Sequence, residues 1–146
     1  MILEGDFEMD NNCFYCTKDE RLDNIMIEIC KLDVSTLYLF KEQTHKGRCI
    51  VALNRHDTEL FNLSTEERNA YIADVSRAAK AIFNAFNVSK MNYGTYGDTM
   101  PHVHMHLVPK YEGGENWSST FEMNPKKTYL TDEEYKEVIN KIKNNL

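Results

Sequence analysis

Three of the chain's five histidines, His102, His104 and His106, occupy every second position of the stretch "PHVHMHLVP". In an extended strand, residues two apart point to the same face. The spacing therefore sets three imidazoles side by side, while Val103, Met105 and Leu107 turn to the opposite face and suit a core. Three readings compete. The histidines can be polar residues of a half-exposed strand. They can form a three-histidine catalytic metal site that activates water, although a strand rises about 6.6 Å per two residues, which makes three successive ligands to one ion geometrically hard. Or they can divide the labour: one ligates metal, one attacks as a nucleophile, and one binds or protonates the reacting group. Imidazole attacks phosphorus well when its far nitrogen is oriented by a hydrogen bond to a carbonyl or carboxylate.

A second constellation lies near the start. "CFYC" places Cys13 and Cys16 so that one turn presents both sulfurs to a single ion. Zinc takes four nitrogen or sulfur ligands in a tetrahedron. Cys30 and Cys49 fall inside expected strands and read as small core residues, so histidines must complete a zinc set, with His56 and one member of the triplet the candidates. The competing readings are a ligand-free thiol pair and a redox pair. Thioredoxin-type chemistry needs CxxC within a βαβ pattern, which this sequence lacks. The glycines before the histidines, Gly94 and Gly97, suit a backbone that approaches an anion, with Thr99 adding a hydroxyl; Gly94 serves equally well to turn the chain.

The elements that position these groups follow from pattern. Asn24–Leu32 and Ser35–Gln43 are rich in strand formers and read as a hairpin, and a third strand, "GRCIVALN", is entered through Gly47. Ser64 and Glu67 make a capping-box pattern ahead of a long helix whose apolar stripe runs through Tyr71, Ile72, Val75, Ala78, Ala79, Ile82, Phe83 and Phe86. "KMNYGTYGD" reads as a fourth strand and the histidine stretch as a fifth. Thr131 and Glu134 form a second capping box for a terminal helix whose apolar face is Tyr135, Val138, Ile139, Ile142 and Leu146. Strand–helix–strand alternation does not recur. The expected class is α+β: a single domain over 1–146 with a mostly antiparallel five-stranded sheet, one long helix and a C-terminal helix. His45, in an expected turn, and Lys110, Lys126 and Lys127 read as solvent-exposed, with a steering role for the lysines as the alternative. Trp117 reads as packing under the C-terminal loop or at a dimer contact.

Composition narrows the class. The 146 residues are 42% hydrophobic and 27% charged, enough for one domain with a real core. A net charge of -6 argues against general nucleic-acid binding, which needs a broad basic surface. It leaves room for an anionic small molecule held by a local pocket. "MILEGDFEMDNN" is acidic with no apolar run of signal-peptide length, and no stretch is long enough to cross a bilayer. The expected setting is cytoplasmic, without membrane attachment, and the cysteines are thiols or ligands rather than a disulfide framework.

Together these motifs carry a resemblance. "HVHMHLV" resembles the HxHxHxx signature of the histidine triad, or HIT, superfamily of nucleotidyl hydrolases and transferases, and "CFYC", "KGRCIVALNRH" and "YGDTMPHVHMHLVPKY" fall in the order and spacing expected of its zinc-bearing branch. The resemblance spans about Cys13 to Trp117. It implies a homodimer that binds a purine nucleotide-type substrate and attacks its α-phosphate with the middle histidine, His104. A nucleotidyl-histidine then forms and water releases the nucleoside monophosphate. Nucleoside phosphoramidates and dinucleoside polyphosphates are the implied substrates. His106 is implied to contact the phosphoryl oxygens or leaving group, with Thr99 assisting, and Asn92, Gly97, Asp98, Thr99, His104 and His106 to bind the nucleotide. Cys13, Cys16, His56 and His102 are implied as a structural zinc set. The chain departs from the pattern at Asp98, where many members have Gln, and at Arg48, where many have His. For the acidic ribose contact, Glu42 and Gln43 are the candidates. Two alternatives accompany the hydrolase reading: a non-catalytic nucleotide-binding module, and a nucleotidyltransferase using the same histidine.

Overall fold

The computed structural model describes residues 11–146. Most of the acidic N-terminal stretch, and so the reading of it as lacking a leader, lies outside the described residues.

Five strands form one sheet in the order β1-β2-β3-β5-β4, with every neighbouring pair antiparallel. They are β1 (Met26–Lys31), β2 (Ser35–Phe40), β3 (Cys49–Leu53), β4 (Lys90–Gly94) and β5 (His104–Lys110). Two long helices, α3 (Thr65–Phe86) and α4 (Asp132–Lys143), follow β3 and end the chain respectively. The α+β expectation holds. Two short helices were not anticipated: α1 (Phe14–Thr17), which contains Cys16 and is N-capped by Cys13, and α2 (Glu20–Asp23). Each is a single turn, too short for an amphipathic period to reveal it.

The two faces of the sheet bury different things. Leu37, Leu39, Val51, Leu53 and Leu107 pack with Tyr71, Val75, Ala78 and Ile82 of α3 and with Val138 and Ile142 of α4. The opposite face carries Tyr38, Phe40, Ile50 and Ala52, covered by Cys13, Tyr15 and Leu22 from the α1–α2 segment. Because side chains alternate, the register Ile50↔His106 and Ala52↔His104 fixes both histidines on this second face, away from α3. The strand begins later than the alternation suggested. His102 sits in a bend just before β5, its N–H held by the Met100 carbonyl at 2.8 Å.

The helix starts are capped, in two different ways. Thr131 and Glu134 make the full reciprocal box expected. Ser64 Oγ accepts from the Glu67 N–H at 3.1 Å, but the Glu67 carboxylate turns to Arg55, whose Nη2 reaches it at 2.7 Å. At the entry to β3, Gly47 has φ 93, and a Cβ there would stand 2.8 Å from Phe86 Cδ2. Glycine is needed for both reasons. Buried Asp74 on α3 closes the β1–β2 turn by accepting from the N–H groups of Asp33 and Val34 and from Ser35 Oγ at 2.6 Å.

Candidate active site and metal centre

Each triplet histidine meets a partner that can play only one hydrogen-bonding role, so each tautomer follows from chemistry. His104 Nδ1 lies 2.6 Å from the His102 carbonyl oxygen. A carbonyl only accepts, so Nδ1 carries the proton and Nε2 is left with a lone pair. His106 Nδ1 lies 3.1 Å from Arg48 Nη2. A guanidinium only donates, so Nδ1 accepts and the proton sits on Nε2. His102 Nε2 is 2.7 Å from the Leu53 carbonyl; it donates there, and Nδ1 is free to ligate.

His102 Nδ1 meets the expected companions. It lies 3.2 Å from Cys13 Sγ, 3.6 Å from Cys16 Sγ and 3.1 Å from His56 Nδ1, while Cys16 Sγ and His56 Nδ1 are 3.3 Å apart. All four donor atoms lie within 4.8 Å of one another. Tetrahedral zinc, with Zn–S of about 2.3 Å and Zn–N of about 2.0 Å, places its donors about 3.3–3.8 Å apart. The donor set, two sulfurs and two imidazole nitrogens, fits that ion in type and in spacing. It lies beside the second face, linked to the next histidine through the His102 carbonyl.

His104 and His106 line a cavity of about 430 Å³. Tyr96, Gly97, Asp98, Thr99 and Met100 of the loop after β4 bound it on one side. Phe14, Tyr15, Ile25, Met26, Phe40 and Ile50 make a more apolar wall, and Met123 and Asn124 close it from the segment before α4. This size and mixture of an apolar wall with a few convergent polar groups is that of a small-molecule site. Burial lowers the basicity of His104. His106 is pushed down to about 3 by burial, by the Arg48 charge and by His104. Gly94 pairs with His106 across the strands, and a Cβ there would lie 2.7 Å from Tyr96 Cε2 and 3.0 Å from Phe121 Cζ. The aromatic rim approaches the backbone closely at that point, which is why the strand-to-loop turn carries no side chain.

Of the residues expected at the nucleotide, Gly97, Asp98, Thr99, His104 and His106 share this cavity. Asn92 does not: it lines a separate depression with Lys110 and Trp117. The acidic candidate for the ribose is engaged elsewhere. Glu42 accepts from the Thr44, Lys127 and Thr128 N–H groups and from Thr44 Oγ1, at 2.7–2.9 Å. Gln43 Nε2 donates to the Phe40 carbonyl at 2.6 Å.

Two exposed assignments are corrected. His45 is buried, with Nε2 3.0 Å from Asn116 Oδ1. Lys110 is buried as well and holds the Asn116 and Ser119 carbonyls at 2.7 Å each, so it anchors a loop rather than steering an anion. Lys127 is exposed as read, with its backbone N–H given to Glu42 and its Nζ 3.6 Å from Glu115. Composition alone hides these links, since each partner is an atom of a loop whose path the sequence does not reveal. Sequence reading also passed over the role of Arg48, although a charged residue opening the apolar run "CIVAL" was a visible signal.

A model of the HIT domain matches residues 27–113. The chain belongs to the HIT domain family. The matched HIT domain runs from β1 through the loop after β5 and so includes His56 and the whole triplet. The chain is 27% identical over 113 residues to an adenosine 5'-monophosphoramidase of Schizosaccharomyces pombe, covering 74% of this chain and 84% of that one. It spans 57% of the length of an uncharacterized HIT-like protein of Methanocaldococcus jannaschii, to which it is 26% identical over 73 residues. Among solved structures, a histidine triad protein from Sinorhizobium meliloti superposes with a TM-score of 0.80 at 25% identity, covering 88% of this chain and 95% of the other. Among the described residues, no helix of this HIT protein is long and apolar enough to cross a membrane.

Proposed function

We propose that this chain is a nucleotidyl hydrolase that cleaves nucleoside phosphoramidates or dinucleoside polyphosphates through a covalent nucleotidyl-histidine on His104. One observation carries the reading. The His102 carbonyl accepts a hydrogen bond from His104 Nδ1–H, which leaves Nε2 unprotonated on a residue that lines a cavity of nucleotide-accepting size. Nε2 attacks the α-phosphorus, the leaving group departs, and water then attacks the same phosphorus and frees Nε2. His106 Nε2–H and the Thr99 hydroxyl supply donors to phosphoryl oxygens on the same cavity wall. Tyr15, whose ring lies 5.2 Å from those of both His102 and His104, keeps the two imidazoles in place.

Cys13, Cys16, His56 and His102 would hold zinc as a structural ion, and its chemistry there is to fix the α1 turn against the start of β5. The occupied His102 then presents a carbonyl of fixed position to His104. Recognition of a purine base falls to the apolar wall of Phe14, Ile25, Met26 and Phe40, while the exposed Asp98 faces the sugar–phosphate side. The same family reading implies a homodimer, and β1 and β4 are the two edges that the sheet offers to a second copy.

The test is AMP release from adenosine 5′-phosphoramidate and diadenosine tetraphosphate by the wild type and by His104→Ala. The proposal expects turnover by the former and its loss in the latter. Tight binding of both compounds with no turnover by either protein would replace the hydrolase with a nucleotide-binding module. Asp98 favours that second reading in one respect, because a carboxylate beside a phosphate costs Coulomb energy that catalysis must overcome. AMP appearing on a second nucleotide rather than on water would identify a transferase.

A further inference from the structure

Arg48 has no exposed surface, and its guanidinium lies over the rings of Phe40 at 4.2 Å and Phe121 at 5.1 Å. Among the described residues no carboxylate pairs with it directly, and its Nε has no hydrogen-bond partner. Its remaining donors are aimed at specific acceptors. Nη1 donates to the Glu122 carbonyl at 3.3 Å, and Nη2 donates to the Met123 carbonyl at 2.9 Å and to His106 Nδ1 at 3.1 Å. Both Nη2 protons are thereby committed.

The consequence for His106 is geometric. A proton on its Nδ1 would point at an N–H donor and set a second cation against a buried one. The titratable and charged groups packed around the ring are Arg48 from the residue just before β3, His104 from β5 and Tyr96 from the loop after β4. None of them is a carboxylate that would support an imidazolium.

We propose that Arg48 is a positioning residue that locks His106 as a neutral Nε2–H donor, and so selects substrates whose leaving group departs as an anion. The favoured class is phosphoanhydrides of the dinucleoside polyphosphate type, and amines are disfavoured. This rests on the reading of His104 as nucleophile. With a phosphoanhydride, His104 Nε2 bonds to the α-phosphorus while the P–O bond to the leaving phosphate breaks. The electron pair stays on that oxygen, which leaves as an anion and accepts a hydrogen bond from His106 Nε2–H without taking the proton. Water then attacks phosphorus, the P–N bond to His104 breaks with its pair returning to Nε2, and the surplus proton passes to solvent. A phosphoramidate differs at the first step. When its P–N bond breaks, the nitrogen keeps the pair and must gain a proton, which a neutral His106 gives up only by becoming imidazolate.

The experiment measures single-turnover adenylylation of His104 from diadenosine tetraphosphate and from adenosine 5′-phosphoramidate, in the wild type, Arg48→Met and Arg48→Lys. Long-range ¹H–¹⁵N spectra of histidine-labelled protein report the His106 tautomer in each. The wild type is expected to favour the polyphosphate by about 100-fold, the usual worth of a missing general acid. Its His106 Nδ1 should be unprotonated. Arg48→Met should shrink the ratio toward unity, and Arg48→Lys, which still donates to Nδ1, should restore it. A purely structural role would lower both rates together and leave the ratio unchanged in Arg48→Met, which overturns the proposal. Comparable wild-type rates on both substrates, or a protonated Nδ1, overturn it too and need no variant to fold. If neither substrate labels His104, the nucleophile reading fails and takes this proposal with it. Labelling by both at equal rates refutes the proposal alone.

Discussion

Substituting Glu42 by Gln should destabilise the protein at neutral pH by an amount that disappears in acid. The buried Glu42 carboxylate joins the corner after β2 to the segment leading into α4. Oε1 accepts from the Thr44 N–H at 2.8 Å, and Oε2 accepts from Thr44 Oγ1 at 2.7 Å, the Lys127 N–H at 2.8 Å and the Thr128 N–H at 2.9 Å. Burial by itself would raise the carboxyl's pKa. The four hydrogen bonds to the ionised form outweigh it and hold Glu42 below its ordinary value. Gln keeps the shape, but its amide nitrogen cannot accept, so at least one N–H loses its partner and the others lose charge assistance. With hydrogen bonds to charged groups worth about 1.5–3 kcal/mol each and partial re-formation by the amide oxygen, the net loss is about 2–4 kcal/mol. For a domain of this size that lowers Tm by roughly 5–15 °C. Because the folded pKa is depressed, the contribution is fully present above the unfolded value of about 4.3 and is lost as pH falls through the folded one. Thermal melts followed by circular dichroism, at pH 7 and in steps downward, should show the wild-type and Glu42→Gln curves converging in acid. A variant that melts with the wild type at pH 7, or a gap that widens as pH falls, would refute the reasoning.

Other expectations follow from single contacts. Chelation at neutral pH, or the Cys13→Ser, Cys16→Ser double variant, should lower Tm and abolish one zinc per chain measured by metal analysis. Folded zinc-free protein with no turnover would contradict the structural role. Gly47→Ala forces a Cβ onto Phe86 at positive φ and should cost about 1–3 kcal/mol in urea unfolding without changing which substrate is used. Asp74→Asn loses the ionised acceptor of two backbone N–H groups and Ser35 Oγ; denaturant titration should show a loss of about 2–3 kcal/mol. Tyr71→Phe removes the hydrogen bond to the Val51 carbonyl at 2.9 Å inside the core and should cost about 1–2 kcal/mol by the same assay.

The sequence made legible what rests on local periodicity. The stripe of α3 through Tyr71, Val75, Ala78, Ala79 and Ile82, the capping residues Ser64 and Thr131, and the alternation around His104 and His106 all depend on neighbours within a few positions and stand where expected, whereas Ile72 and Phe83, read into the same stripe, lie on its flank and are exposed. The grouping of Cys13, Cys16, His56 and His102 was legible in part: the CxxC spacing and a four-ligand zinc pointed to His56 and one member of the triplet, and the family resemblance singled out His102. What remained hidden depends on contacts between distant segments. Arg48 meets residues 121–123, Glu42 meets 127–128, and His45 meets Asn116. In each case a polar side chain that reads as surface is buried because a late loop folds over it and supplies its partners. Asn92 shows the converse. It stands two residues before Gly94, opposite Val108 rather than His106, and so lines a different depression.

The central claim is that His104 carries the nucleotide. It is tested most directly by mixing the protein with α-³²P-labelled diadenosine tetraphosphate, quenching under alkaline conditions that preserve phosphohistidine, and mapping the label by peptide digestion. The account predicts label on His104 in the wild type and neither label nor AMP release in His104→Ala. Turnover that survives in His104→Ala, or label on any other residue, would contradict it.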